Sequence, residues 1–290
     1  MAQTLANILV EKLKQNFWIE MNLQGFETKP GTDHIVRGLV NSVDGTMYKR
    51  IGPVADMWGQ TEWEAGYNYD DPIAVFGILR GTSDLIKQAK TWYYFDHAYI
   101  AGNKHGKTFL GEPIYRLTKN WYHQRDFESA FDLNRIDRKR VKRYKGKYEI
   151  KPWKTNGKYI LVCPPTPNVE IQFDKKDWLS NTLKILQKHT DRKILIRDKY
   201  CDRPLAQDLK DAYAMVSCTT AVTIDAILAG VPSFCDQIAV ASPVSHHRFD
   251  FIEEPLYSPF RREWIDTLLT HQFTMSEIKN GTAWDIVNGI

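Results

Sequence analysis

The stretch that most constrains the fold is residues 212–236, AYAMVSCTTAVTIDAILAGVPSFCD. Ala214-Met215-Val216 is a short apolar run of the kind that forms a buried strand. Ser217-Cys218-Thr219-Thr220 follows as a small polar turn, and Val222, Ile224, Ala226, Ile227 and Leu228 then form a helical pattern. Gly230 is placed to stop that helix as its C′ residue, and Val231-Pro232-Ser233-Phe234-Cys235 begins the next strand. The threonines of such a turn have two uses. Their hydroxyls cap the first amides of the helix, or those amides and the positive end of the dipole hold a phosphate.

The unit recurs along the second half. Lys158–Cys163 reads as a strand ending in the rigid turn Pro164-Pro165-Thr166-Pro167. Asp177–His189 is an amphipathic helix with Trp178, Leu179, Thr182, Leu183 and Leu186 on one face. Lys193–Arg197 is the next strand and Pro204–Lys210 a short helix. The order β-α-β-α-β-α-β is that of a doubly wound parallel sheet. The first half holds a shorter version: strand Ile73–Ile78, helix Ser83–Lys90 and strand Trp92–Phe95, ending at Asp96-His97. Before it, residues 1–17 read as an amphipathic helix, Phe17–Leu23 as a strand ending at Gly25, and His34–Val43 as helix or strand. The tail from Arg261 to Trp284 reads as helical, with Trp264, Ile265, Leu268 and Leu269 on one face. The fold class is therefore α/β, with an N-terminal domain over 1–150, a C-terminal domain over 151–260, and tail helices over 261–290 that pack back across the domains.

Charge breaks the pattern once. Arg135–Lys154 holds ten basic residues against Asp137 and Glu149, a local +8 in a chain whose total is +4. Tyr144, Tyr148 and Trp153 lie among these cations. Most charge runs are solvated faces or linkers, but cations interleaved with aromatics also suit a phosphate backbone with bases or sugars nearby. Arg138, Arg140, Arg143 and Lys145 are the candidates for such contacts.

Several classes are excluded. No run of about 18 uncharged apolar residues exists to cross a membrane, and the N-terminus lacks the apolar core of a signal peptide. The four cysteines show no CxxC spacing, so reduced thiols of a cytoplasmic protein are expected. No HExxH, HxxxH or CxxC set is present and no metal site is expected; His246-His247 at i,i+1 cannot share one ion from a regular element. GxGxxG, GxxxxGK[ST] and Gly-x-Ser-x-Gly are also missing, which speaks against dehydrogenases, P-loop kinases and α/β-hydrolases.

Ligands of doubly wound sheets bind beyond the carboxyl ends of the strands. In the second half those ends carry Pro165 and Thr166, Arg197 and Lys199, and Cys218, Thr219 and Thr220. Their cations, hydroxyls and amides suit a diphosphate cradle, unless Arg197 and Lys199 are solvated strand-end charges. Asp225 either accepts ribose hydroxyls or sits on the outer helix face. In the first half Asp96 or His97 is placed to act as a general base, unless Asp96 caps a turn and His97 packs beneath Tyr99. Arg116 and Asn120 are candidates to line the same site.

The segments TWYYFDHAYI (91–100), IYRLTKN (114–120), LVCPPTP (161–167), ILIRDK (194–199), SCTTAVTIDAILAGVP (217–232) and REWIDTLLTHQFTMSEIKNGTAW (262–284) resemble, in order and spacing, GT-B-type glycosyltransferases of phage genomes. They are distantly similar to capsule-type sugar transferases. The resemblance covers roughly residues 70–285. It implies two Rossmann-like domains facing each other across a cleft, with a nucleotide-sugar donor, UDP-linked by expectation, in the C-terminal domain. It also implies an acceptor in the N-terminal domain, no required metal or cofactor, and Asp96 as the base; Asp225 is the nearest match to an acidic ribose ligand. Joined to the basic stretch, it leads to an expectation of sugar transfer to a hydroxymethylated base in double-stranded DNA, in a phage-infected host cytoplasm. A surface polysaccharide or lipid-linked sugar is the alternative acceptor. A non-catalytic nucleic-acid-binding protein with a degenerate nucleotide cleft is the rival from another class.

Overall fold

The computed structural model describes residues 22–27, 32–51, 62–79, 81–102, 110–123 and 136–289. The helix expected over 1–17, the start of the Phe17–Leu23 strand, and Arg135 lie outside the described residues. Described residues fall into two compact units: unit 1 holds those up to Ala98, those of 102–123 and those of 271–289, and unit 2 holds Tyr99–Ala101 and 136–270.

The chain begins in unit 1 with β1 (Gln24–Phe26), α1 (Asp33–Asn41), β2 (Thr46–Tyr48), and the antiparallel pair β3 (Arg50–Ile51) and β4 (Glu62–Trp63). Then come β5 (Ile73–Phe76), α2 (Thr82–Gln88), β6 (Trp92–His97) and β7 (Ile114–Lys119). His34–Val43, left open between helix and strand, is α1. Unit 2 follows with α3 (Arg138–Lys142), β8 (Tyr159–Cys163), α4 (Pro167–Gln172), α5 (Trp178–His189), β9 (Lys193–Ile196) and α6 (Leu205–Lys210). It closes with β10 (Ala212–Ser217), α7 (Val222–Leu228), β11 (Ser233–Cys235) and α8 (Arg261–Thr270). The tail then returns to unit 1 as β12 (Gln272–Thr274), α9 (Met275–Lys279) and α10 (Thr282–Asn288).

The expected all-helical tail is thus interrupted by a strand. Gln272, Phe273 and Thr274 pair antiparallel with Arg116, Tyr115 and Ile114 of β7. Thr274 then restarts the helix through a capping box: its hydroxyl accepts from the Glu277 amide at 3.3 Å, and its own amide donates to the Glu277 carboxylate at 2.9 Å. Three residues that satisfy one open sheet edge do so through the partner's backbone, which helical spacing in the tail does not reveal.

Each sheet is wound from a switch point. In unit 2 the order is β11-β10-β8-β9, all parallel. Trp178 and Leu186 of α5 pack with Ile160, Val162, Ala214 and Val216 on one face. Leu209 of α6 and Ala226 of α7 pack with Leu161 and Met215 on the other. The helices following β8 and β10 therefore leave to opposite sides, and the crevice opens where those two neighbours end. In unit 1 the order is β12-β7-β6-β5-β1-β2. Ile35, Val36, Leu39 and Val40 of α1 join the core of one face, Leu85 and Ile86 of α2 that of the other. Its switch point lies between β1 and β5, with β6 the next strand over.

The glycine expected to stop the helix at residue 230 does so. Gly230 has φ +79°; its amide bonds to the Ile227 carbonyl at 3.1 Å, and the Val231 amide to Ala226 at 2.8 Å. That is the 5→2 and 6→1 pair of a Schellman turn. A Cβ there would lie 2.0 Å from the Pro152 carbonyl oxygen. Gly230→Ala is expected to destabilise unit 2 by about 1–3 kcal/mol from backbone strain alone, more with the close contact. Chemical denaturation checks it, and an unchanged midpoint would refute the account.

Candidate functional site

At the unit 2 switch point the two strand exits differ in depth. After β8, Pro164, Pro165 and Thr166 are half-buried, and the Thr166 carbonyl accepts from the Val169 and Glu170 amides at 2.9 and 3.0 Å. After β10, Cys218 is fully buried in the core below the rim. Burial, with the carboxylate of Asp236 adding to it, pushes its thiol up to about 12, so the side chain is a neutral packing group. Thr219 is buried beside it. Thr220 is half-buried; its hydroxyl accepts from the Val222 amide at 3.3 Å and its carbonyl from the Thr223 hydroxyl at 2.7 Å. The Thr220 hydroxyl thus takes one first-turn amide, while the N-cap residue of α7 is Ala221 and no side chain caps it.

Arg197 is not free at the rim. Its Nη1 donates to Oδ2 of buried Asp208 at 2.6 Å and to the Arg203 carbonyl at 2.8 Å. Arg203 Nε holds the other Asp208 oxygen at 3.0 Å. Burial raises the Asp208 carboxyl, yet the two arginines outweigh it and hold the group below the usual carboxylate range. Arg197 is thus spent on fixing α6 to the sheet. Lys199 is exposed in the turn after β9, and Asp225 is exposed on α7.

Strand-end reading omitted two residues that the fold brings to this rim. Lys175 Nζ bonds Asp236 Oδ2 at 2.6 Å, with side chains 31% and 23% exposed. Lys175 belongs to the loop after α4 and Asp236 follows β11, so the pair bridges across the end of β10, which lies between β8 and β11. Below it the Asp236 amide donates to the Cys218 carbonyl at 3.2 Å. Lys175 lies between Asp174 and Asp177, both left-handed at φ +51° and +59°. Asp236 was legible as the end of a fourth parallel strand; Lys175, in an irregular loop, carried no signal.

In unit 1 the structure brings three of the named residues together. Asp96 at the end of β6 lies opposite Arg116 of β7, and His97 opposite Tyr115. Arg116 Nη2 donates to Asp96 Oδ2 at 2.7 Å and Nη1 to the His97 carbonyl at 3.3 Å. Tyr94 donates its hydroxyl to Asp96 Oδ2 at 3.2 Å, and the His97 amide donates to Oδ1 at 2.7 Å. Arg116 is buried while Asp96 remains about a quarter exposed. Burial, and next the Asp96 charge, keep the Tyr94 phenol protonated well above its ordinary range. Close by, burial and then Arg116 depress the His123 imidazole, so it is neutral. His97 sets its ring edge-on to Phe76 at 5.9 Å. Asn120 does not join them. It lies at the other end of the antiparallel β6–β7 pair, where its Oδ1 accepts from the Trp92 amide at 2.8 Å. Four residues of strand, roughly 13 Å, separate that position from Asp96.

The basic stretch is partly built into unit 2, while Arg138, Lys139, Lys142, Lys145, Lys147 and Lys151 stay exposed. Asp137 caps α3 by accepting from the Lys139 and Arg140 amides at 2.8 and 3.1 Å. Arg140 is buried and its Nε donates to the Thr270 carbonyl at 3.0 Å, closing the C-terminus of α8. Arg138 pairs with Asp266 at 3.1 Å. Tyr144 is buried, Tyr148 accepts from Arg262 at 3.3 Å, and Trp153 lies under the Arg261 guanidinium at 4.0 Å. Arg143 is half-buried and Lys145 exposed. The three aromatics expected as a stacking surface are packed against their own chain. Among the described residues no group of three His, Cys, Asp or Glu could hold a metal, and no helix is long and apolar enough to cross a membrane.

No family model and no curated protein matches the sequence. In fold the chain is similar to the KpsC beta Kdo 2,7 transferase of Thermosulfurimonas dismutans, with TM-score 0.50 and 12% identity over 92% of this chain and 99% of that one. The KpsC beta Kdo 2,4 transferase of the same organism gives TM-score 0.46 and 8% identity over 93% and 98%. The first of these likenesses is one of fold, and neither lends anything to a phage source or a DNA-base acceptor.

Proposed function

We propose that this protein is a glycosyltransferase that moves a sugar from a nucleotide-sugar donor to a hydroxyl of a saccharide acceptor, such as a surface polysaccharide or a lipid-linked sugar. The observation that carries the reading is the likeness in fold to a Kdo transferase over nearly the whole of both chains. Two features of the chain support it. The parallel sheet of unit 2 has a switch point lined by hydroxyls and a lysine, a setting suited to a nucleotide. Unit 1 holds a carboxylate at a strand end, aimed by a buried arginine, a setting suited to a general base.

In this reading unit 2 holds the donor and unit 1 prepares the acceptor. Asp96 takes the proton from the attacking hydroxyl. Arg116 and Tyr94 fix the carboxylate so that its remaining lone pairs stay aimed at the acceptor. Charge on the departing phosphate is met by fixed donors at the β8–β10 crevice and no metal takes part. The modified-DNA acceptor has weaker support, because the likeness in fold is to a Kdo transferase, although Lys139, Lys142, Lys145, Lys147 and Lys151 remain exposed cations.

The test is incubation with a panel of nucleotide sugars and two acceptor pools, saccharides and hydroxymethylated duplex DNA, followed by mass spectrometry. A gain of one sugar on a saccharide is expected, and it should persist in EDTA. A gain confined to a nucleoside would replace the acceptor proposed; no transfer to either pool and no donor hydrolysis would remove the enzyme class.

A further inference from the structure

The ion pair above β10 has a geometry that its contribution to stability does not explain. Lys175 and Asp236 come from loops on either side of the β10 exit, and they meet at 2.6 Å over the residues that end that strand. Both side chains keep about a quarter of their surface in solvent, where such pairs contribute little to stability. The lysine sits between two left-handed aspartates, a backbone that costs free energy to hold. The cation expected to face this crevice, Arg197, is bound to Asp208 and unavailable. Cys218 lies directly beneath and feels both members: the Asp236 charge raises its thiol and Lys175 opposes that. The pair therefore spans the end of β10, which is one wall of the crevice between β8 and β10 where a doubly wound sheet receives a phosphate.

We propose that Lys175 is the phosphate-binding cation of unit 2, and that Asp236 occupies it as an internal carboxylate until a nucleotide phosphate displaces it. The inference rests on the reading of unit 2 as the donor-binding half, and deepens it. A phosphate carries more charge and more acceptor oxygens than a carboxylate, so it competes for the ammonium with advantage. The two residues consequently act on affinity with opposite signs, which a purely structural salt bridge does not do.

The experiment is isothermal titration calorimetry of the full chain with inorganic pyrophosphate and with the mono- and diphosphates of uridine, cytidine, guanosine and adenosine. Lys175→Met is expected to weaken binding of the best nucleotide and of pyrophosphate by on the order of 10- to 100-fold, the loss of one charge-assisted hydrogen bond. Asp236→Asn is expected to strengthen pyrophosphate binding several-fold, because the competing carboxylate is gone. Both variants should melt close to the parent. Unchanged affinity in Lys175→Met, or weakening in Asp236→Asn to match Lys175→Met, overturns the inference while leaving sugar transfer, measured separately, untouched. If the parent chain binds neither pyrophosphate nor any nucleotide, the inference and the donor-binding reading fall together.

Discussion

Asp96→Asn is expected to lower sugar transfer by about 10²–10⁴-fold, the usual worth of a positioned general base. The change is conservative in shape. The Asn carbonyl still accepts from Arg116 and from the Tyr94 hydroxyl, which now reach Asp96 Oδ2 at 2.7 and 3.2 Å. What is lost is the negative charge opposite a buried guanidinium and the acceptor that the His97 amide now reaches at 2.7 Å, a change that costs about 1–3 kcal/mol of stability and leaves the unit folded. The loss of rate should appear in kcat with little change in KM for the donor, because the carboxylate lies in unit 1 and the donor is assigned to unit 2. Arg116→Met is the complementary variant: it keeps the carboxylate but removes its anchor, and breaking a buried pair costs about 3–5 kcal/mol. Its effect on stability should exceed that of Asp96→Asn. His97→Gln decides between the neighbours, since the bond that ties His97 to Arg116 runs through its backbone carbonyl and survives the substitution. If Asp96→Asn keeps a tenth or more of the turnover while His97→Gln loses it, the base is His97.

How much of this was legible follows from which groups carry their own information. β5, β8 and β10 are apolar throughout, IAVF, YILVC and AYAMVS, because parallel strands are covered on both faces. β7 and β12 are not legible in that way. IYRLTK mixes apolar residues with Arg116 and Lys119, and QFT is three residues long. Each becomes a strand because a neighbour offers an unpaired edge. The Thr274–Glu277 capping box, T-x-x-E in the sequence, and Asn280-Gly281 beyond it were the local signs that the tail helix is broken.

The candidate site divides along the same line. Strand ends, and the polar residues on them, follow from the pattern. Partners do not. Arg197 looks like a rim cation until Asp208, eleven residues on, is seen to hold it. Arg140 looks like part of a polyanion-binding run until its bond to the Thr270 carbonyl is seen, and 130 positions separate the two. A net charge is a sum that sequence supplies; which of its members bond inward is a set of contacts that only the fold supplies. Lys175 is the converse case, an unremarked residue in an irregular loop whose partner at residue 236 gives it meaning.

The second large effect is expected far from any strand end. Trp284 on α10 is buried against Tyr93, with ring centroids 4.8 Å apart, and belongs to the core shared by α1, β5, β6, β7 and β12. The Tyr93 hydroxyl and Lys119 both donate to Asn288 at the end of the same helix, at 2.7 and 2.8 Å. Trp284→Ala is expected to destabilise unit 1 by about 3–5 kcal/mol, the range for truncating a buried tryptophan, read as a shift of its denaturation transition. Tyr200→Ala, at a side chain 83% exposed, should stay within about 0.5 kcal/mol. The consequence reaches the chemistry through register. Gln272 of β12 stands opposite Arg116 of β7, and Arg116 stands opposite Asp96 of β6. Loosening the tail therefore loosens the strand that carries the arginine, and through it the aim of the carboxylate. Transfer by Trp284→Ala should fall as denaturant is added at concentrations where the parent remains fully active, in step with its loss of unit 1 structure. A variant that loses less than about 1 kcal/mol, or that keeps full transfer after its unit 1 transition, would show that the tail is an appendage and that Arg116 is held by other means.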